Sequence, residues 1–388
     1  MFASTRTVAL CLVMASLCPA ETYLAAPFAN RSAEVGLDWI GESIGESVRA
    51  ALDRESVPVV TREERERAAA RLSLRPTSQV SLGSLLKVTE TAAADELVWG
   101  EYEVVLEPGA KPAADSVLRI TARIYSRNPA RERLVVTESG ALQDLATLER
   151  TVAWSVYHVA RPDSKLTRAE FEARHPARKV NALEDYVRGL LATNATQRHR
   201  YFAQAVRMEP GFDEALFELG LMRWRTEQFS EATMWLAQVS PSAADYLQAL
   251  FLLGCSQFHQ GNSAGALKSF SELLLRFPNS PEVRNNVAAS RLPFDAMAAT
   301  EAFAKLVEEA PGDPDYLFNY GYALWSVGQF EKAAELFRAV LDRTPNEADS
   351  LLMLGRCLKK SGPRPGDLRT AGLQRLIEDW PAAVRRVP

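Results

Sequence analysis

The residue types that carry acid–base, nucleophilic or metal chemistry are sparse and scattered in this chain of 388 residues. Its four histidines, His158, His175, His199 and His259, have no second histidine or cysteine at metal-ligand spacing. His158 reads as a helix-face residue and His199 as a solvated one. No G-x-S-x-G elbow is present to expose a nucleophilic serine on a strained turn. No G-x-x-x-x-G-K-[ST] loop is present either. Gly36, Gly41 and Gly45 sit in a helix start with no strand ending just before them, so they read as close-packing glycines rather than a phosphate cradle. The acidic pairs Glu63-Glu64 and Glu308-Glu309 read as exposed helix faces. The sequons at Asn30 and Asn194 occur at a rate chance supplies. These patterns assign no catalytic residue, no cofactor and no metal, and point away from an enzyme.

Binding surfaces are then the remaining source of function, and composition narrows their partners. The 45 Lys and Arg interleave with 49 Asp and Glu for a net charge of −4, which disfavours nucleic acid, since that partner wants a basic face. Apolar content of 47% is ordinary for a globular chain, and the length has room for two or three domains. Residues 1–20 carry Arg6, an apolar run at 8–17 and Ala20, the pattern of a secretory signal peptide. That run is too short to span a bilayer. Export to the periplasm or cell envelope is expected, with no transmembrane span after cleavage and with peripheral membrane association still open. Cys18 as a lipoprotein acylation site is disfavoured by Leu17, because a small residue normally precedes such a cysteine. Cys255 and Cys357 lie three repeats apart, so no disulfide is expected between them.

Residues 21–160 read as an α/β domain with a mixed sheet. A short apolar strand at 22–28 precedes a polar turn at Asn30-Arg31-Ser32. Leu37, Ile40, Ile44, Val48 and Leu52 recur at three- and four-residue spacing, which predicts a helix over 36–54. Residues 57–60 read as a second strand. Thr61 and Glu64 form a capping box for a helix over 62–72, and another helix is expected near 81–91. A strand follows at 97–106, with Gly100 as a bulge, then a polar hairpin at 107–114. Residues 117–125 alternate strictly, so one face of that strand is solvated or unevenly covered. A further strand at 133–137 and a helix at 142–160 close the domain. Residues 161–180 read as a partly helical linker.

From residue 181 to 362 a helix-pair pattern recurs. The clearest unit has Leu317, Tyr320, Gly321 and Leu324, a Gly328-Gln329-Phe330 turn, then Ala333, Phe337, Val340 and Pro345. Gly321 and Ala333 allow two helices to cross closely, and Pro345 stops the second. Upstream units carry Leu250, Leu253, Gly254, Ala266 and Phe270; Leu216, Leu219, Gly220, Ala232 and Leu236; and Gly189, Phe202 and Ala205. A half unit with Leu351, Leu354 and Gly355 ends the series, giving about five and a half repeats. The unit at 281–311 has Asn286 and Val287 where Leu-Gly is usual, so its first helix is expected to pack loosely. Residues 363–388 are expected to cap the series, with a helix over 368–380.

These repeats resemble the tetratricopeptide repeat, with a period of about 34 residues. The resemblance implies an α-solenoid superhelix whose first helices present an i, i+4, i+7 stripe to a concave groove. That stripe is Phe217, Leu221 and Trp224 in one unit, Phe251, Cys255 and Phe258 in the next, and Phe318, Tyr322 and Trp325 in the clearest one. Such a lining suits an amphipathic helix or an extended apolar peptide. The Lys and Asn set of the family's carboxylate-clamp variety is lacking, which argues against acidic peptide tails. Asn286 and Asn319 sit where some members grip a peptide backbone, but two asparagines do not make a ladder. Two readings of the aromatics stand side by side. Either they line an open groove, or they are core or are covered by the chain's own amino-terminal domain or tail.

Ala26-Pro27-Phe28-Ala29-Asn30-Arg31-Ser32, Trp39-Ile40-Gly41-Glu42 and Leu97-Val98-Trp99-Gly100 resemble the TolB amino-terminal and FlgO-like families of bacterial envelope proteins. This second resemblance implies assembly with other envelope proteins rather than catalysis. The β-propeller that follows the module in TolB is not encoded here. The combined expectation is a small mixed-sheet α/β domain followed by an all-α solenoid, acting as an exported scaffold for protein or peptide partners. The alternative is a ligand-sensing or regulatory subunit that works through the α/β domain.

Overall fold

The computed structural model describes residues 21–32, 35–74, 80–106, 111–364, 366–367 and 369–380. The expected signal segment with Cys18, and residues 107–110 of the expected polar hairpin, lie outside them. The chain forms two compact units, residues 1–180 and 181–388.

In the first unit, β1 (Tyr23–Ala25) and β2 (Ala29–Asn30) lie end to end along one edge of β3 (Glu96–Val105), both parallel to it. β4 (Val117–Arg127) and β5 (Ala130–Ala141) continue the sheet antiparallel. The alternation of β4 has a direct outcome. Leu118, Ile120, Ala122 and Ile124 are buried, while Val117 and Arg119 are exposed. The helices α1 (Trp39–Arg54) and α4 (Leu145–Ala160) pack together and on the sheet. Leu97, Trp99 and Tyr125, on alternate positions to these, meet α2 (Arg62–Arg71) and α3 (Leu82–Thr91) in a smaller core.

Close backbone approach explains the glycines. A Cβ on Gly41 would lie 2.1 Å from the carbonyl oxygen of Phe28, and one on Gly45 would lie 2.7 Å from that of Ala26. The expected bulge at Gly100 is corrected. β3 and β4 pair without interruption through Gly100 and Ala122. The glycine is there because Thr121 O would stand 2.1 Å, and the Phe28 ring 2.5 Å, from its Cβ. The expected strand at 57–60 reduces to a single bridge between Tyr23 and Val59. Pro58 has no N–H to donate, so a ladder cannot continue through it. The capping box of Thr61 and Glu64 is present at α2.

Residues 161–180, expected to link the units, carry α5 (Arg168–Arg174), which has its own capping box from Thr167 and Glu170. Phe171 of α5 is fully buried, with its ring 5.5 Å from that of Tyr157 in α4.

The second unit is a run of helix pairs. These are α6 (Val180–Leu191) with α7 (Ala195–Met208), α8 (Asp213–Arg225) with α9 (Phe229–Leu236), and α10 (Tyr246–His259) with α11 (Ser263–Arg276). Then come α12 (Pro281–Arg291) with α13 (Ala296–Glu309), α14 (Pro314–Ser326) with α15 (Phe330–Leu341), and a single helix α16 (Ala348–Leu358). One contact repeats in the pairs. A Cβ on Gly189, Gly254 or Gly321 would meet the ring of Phe202, Phe270 or Phe337 at 2.5, 2.8 or 3.2 Å. The small residue of the first helix thus receives the large residue of the second. Gly355 of α16 has nothing within 4 Å of that position, because α16 has no second helix against it.

Candidate functional site

The first helices α8, α10 and α14 carry the stripe residues. Phe251, Cys255 and Phe318 are fully buried, and Phe217, Leu221, Tyr322 and Trp325 are nearly so. Phe258 and Trp224 are partly buried against the same cores. What covers the groove is the chain itself. Residues 373–379 run without helix or strand across the inner faces of α10, α12 and α14. The expected capping helix over 368–380 is therefore corrected. Leu368 and residues 381–388 lie outside the described residues, and the rest is turn and extended chain with a helical assignment only at Trp380. Gly366 and Gly372 have φ of +77° and +72°, a backbone form that helices exclude.

The grip on the tail is directed at its backbone. Asn319 accepts from Arg375 N at 2.7 Å through Oδ1 and donates to Arg375 O at 2.8 Å through Nδ2. Asn286 does the same for Ile377, accepting from N and donating to O, both at 2.8 Å. Asn285 adds a second donor to Arg375 O at 2.9 Å, and its own Oδ1 accepts from Asn319 Nδ2 at 2.9 Å. All three asparagines are completely buried. Each side-chain amide offers a donor and an acceptor, so it can pair with one residue of an extended chain as a neighbouring strand would. Arg375 and Ile377 are two apart, the repeat of a strand. Asn286 and Asn319 alone would not make a ladder, but Asn285 completes it. Asn285 stands 34 residues before Asn319, one repeat earlier, and that spacing is the signal in the sequence that identifies it. The loose packing expected for α12 is also corrected. Every residue from 285 to 290 is buried there: the tail covers Asn285 and Asn286, Val287 lies in one helix core, and Ala288 and Ala289 lie in the other.

Side chains of the tail find separate seats. The Arg375 guanidinium reaches Asp315 Oδ1 and Glu347 Oε1, each at 3.0 Å, and lies 4.0 Å from the centre of the Phe318 ring. Asp315 is in the first turn of α14, and Glu347 caps α16 through the backbone N–H groups of Asp349 and Ser350. Burial pushes the Glu347 carboxyl up, but the Ser350 hydrogen bonds and the Arg375 charge outweigh it and hold the group below its usual range. Trp380 packs its ring 5.4 Å from Phe251 and edge-on to Phe277 at 5.9 Å. Leu376 touches both cores of the unit, and Leu373 and Ile377 touch the one around Phe318. Glu378 Oε1 meets His259 Nε2 at 2.5 Å and raises the imidazole pKa. Tyr322 donates to Thr370 O at 2.5 Å, and Trp325 Nε1 donates to Ser361 O at 2.8 Å.

The predicted stripe is thus divided. Phe251, Phe318, Asn319, Tyr322 and Trp325 meet the tail or its approach. Phe217, Leu221 and Trp224 belong to the core shared by α8 and α10, and Phe258 borders both cores. The structure follows the second reading of the aromatics: the side chains are core, and the inner face of those on α10 and α14 is covered by the chain's own tail.

The first unit offers less. A concavity of about 440 Å³ is lined by Tyr157, Ala160, Arg161, Pro162, Asp163 and Ser164. The Tyr157 and Ser164 hydroxyls bond each other at 2.7 Å, and Arg161 donates to Ser56 O at 3.2 Å. Deeper in, Glu42 is buried with the guanidiniums of Arg65 and Arg62, whose charges outweigh desolvation and hold it low. Glu149 is enclosed without a cation, and desolvation pushes it up to about 7. Among the described residues no three His, Cys, Asp or Glu side chains gather to hold a metal. No described helix is long and apolar enough to cross a membrane.

Residues 295–348 and 318–360 match one tetratricopeptide repeat family model, and residues 248–280 match another. No curated protein matches the chain. Among solved structures the chain is similar to YrrB, described as a tetratricopeptide-repeat protein with an unusual peptide-binding site. The identity is 17%, over 50% of this chain and 98% of that one, with a TM-score of 0.40. MamA is similar at 16% identity over 37% of this chain and 80% of that one, with a TM-score of 0.33. Residues 248–280 and 295–360 thus carry tetratricopeptide repeats, within a run of helix pairs that follows a small mixed-sheet unit. Proteins built on this repeat generally mediate protein–protein interactions.

Proposed function

We propose that this chain is an exported, non-enzymatic scaffold of the bacterial cell envelope whose solenoid groove captures an extended segment of a partner protein. One observation carries the reading. The groove already holds an extended peptide, residues 373–379, through asparagine amides that pair with its backbone. Contacts of that kind accept many sequences, because every non-proline residue offers the same N–H and C=O. The mixed-sheet unit, with its TolB-like and FlgO-like stretches, is the second docking module. Export rests on the signal pattern of residues 1–20. In the concavity of the first unit the Tyr157 and Ser164 hydroxyls bond each other and Arg161 is engaged by Ser56 O, which favours docking over catalysis there.

The test is photo-cross-linking in the native cell. A photoreactive phenylalanine analogue replaces Phe258, at the border of both cores, and a control replaces Leu275, which is 82% exposed. Adducts to a second protein at 258 but not at 275, recovered from the envelope fraction, support the reading. Adducts only within the chain, or the same adducts at both positions, overturn it. Sequencing the amino terminus of the purified protein tests export, since retention of residues 1–20 would remove it.

A further inference from the structure

The seat around Arg375 is more particular than the backbone grip beside it. Two carboxylates, at the start of α14 and at the cap of α16, converge on one guanidinium from either side, and an aromatic face lies beneath it. A planar cation fills such a seat far better than an ammonium or a neutral group, because it pairs with both acids while stacking on the ring. Two residues on, Ile377 is fixed by Asn286 and packs on the Phe318 core. Three further on, Trp380 lies between Phe251 and Phe277. Asparagine amides set the register, and these three seats read the side chains.

The tail that shows these seats is built as a resident rather than as a structural element. Among the described residues between the end of α16 at Leu358 and Arg375 there is neither helix nor strand, and glycines at positive φ with open space around them stand at 366 and 372. Leu373, Arg375, Leu376, Ile377 and Trp380 remain partly exposed, whereas Phe251, Phe318 and the three asparagines beneath them are fully buried. A tether of this length holds its end at an effective concentration on the order of millimolar. The floor, once bare, would be a contiguous apolar surface of the kind that is covered by a partner.

Taking the groove as a partner-capture site, as proposed above, we infer its ligand: an extended segment of a separate protein bearing an arginine, an aliphatic residue two positions later and a tryptophan five positions later. Residues 370–380 of this chain are a copy of that ligand and compete with it. The charge pattern excludes an acidic segment, which would face Asp315 and Glu347.

The experiment uses the full chain and two labelled synthetic peptides, one with the sequence of residues 370–380 and one with glutamate in place of its arginine. Arg375→Glu in the protein sets its own tail against Asp315 and Glu347 while leaving the groove side chains intact. Fluorescence anisotropy should show the arginine peptide binding Arg375→Glu at least ten-fold more tightly than wild type. It should bind that variant at least ten-fold more tightly than the glutamate peptide does. Asp315→Lys added to Arg375→Glu should turn the preference toward the glutamate peptide, a reversal that loss of folding could not mimic. Equal binding to wild type and Arg375→Glu, or no preference between the peptides, overturns the inference. Circular dichroism confirms that the variants are folded. Cross-linking of foreign protein at position 258 with no arginine preference would end this inference and leave the scaffold reading standing. No foreign cross-link would end both.

Discussion

Asn319 and Asn285, one repeat apart, both donate to the carbonyl oxygen of Arg375, at 2.8 and 2.9 Å. Two successive helix pairs thus converge on a single peptide unit of the tail. Asn319→Ala removes one donor and one acceptor and leaves Asn285 without the hydrogen bond to its Oδ1. The expected cost is about 1–3 kcal/mol, the range for stranding buried polar partners. Urea denaturation measures it. A cost no larger than that of Asn→Ala at a surface site would show that the amide network is not holding the tail.

Cys255 reports on the seat of the tail. It lies one turn from Phe251, which faces Trp380, and one turn from His259, which meets Glu378. Its thiol is fully buried, and burial raises its pKa well above the ordinary value. Alkylation at neutral pH should therefore be slow in the wild type. Arg375→Glu should speed it at least ten-fold at Cys255, read by mass spectrometry of the peptide carrying that residue. Unchanged protection would mean that the tail stays seated without its arginine.

Glu149 makes a pH-dependent contribution of defined sign. Desolvation raises its pKa from 4.5 to about 7 in the folded chain, where the Ser47 hydroxyl donates to it at 2.7 Å. The unfolded chain therefore gives up this proton first as pH rises. Stability from this group is greatest below about pH 4.5, falls between there and about 7, and is level above. The loss is about 3 kcal/mol at 1.36 kcal/mol per unit. Glu149→Gln should flatten that slope in urea midpoints measured from pH 5 to 8, and parallel curves for the two proteins would refute it.

The paired glycines predict opposite outcomes for one substitution. Gly254→Ala places a Cβ 2.8 Å from the Phe270 ring and should destabilise by about 1–3 kcal/mol. Gly355→Ala meets nothing within 4 Å and removes a helix-weakening residue, so it should be neutral or stabilise by up to about 1 kcal/mol. Thermal denaturation of the two variants decides it.

What was legible in the sequence follows from periodicity. Gly254 with Phe270 and Gly321 with Phe337 recur at fixed spacing, so the helix pairs could be placed without coordinates. Thr61 with Glu64 is a local rule and was met locally. The tail was misread because an extended segment bound to a groove has no period of its own, and Leu373, Leu376 and Ile377 mimic a helical stripe. For Phe318 and Trp325 the sequence leaves groove lining and core side by side, because both put an aromatic at the same helical spacing. Their near-complete burial makes truncation of either a core deletion costing about 3–5 kcal/mol. Strand signals at 57–60 failed at Pro58, where side-chain type suggested a ladder that the missing N–H prevents.

The stretch between α16 and Arg375, without helix or strand among its described residues, has a consequence for dosage. A partner must wait for the tail to leave, so its apparent dissociation constant is the intrinsic one divided by the fraction of time the groove is bare. A tail absent about one part in a hundred raises that constant about a hundred-fold. The length and stiffness of residues 359–374 then set the partner concentration at which capture begins. Substitutions at Gly366 or Gly372, which touch no ligand, would move that threshold while leaving the ranking of ligands unchanged.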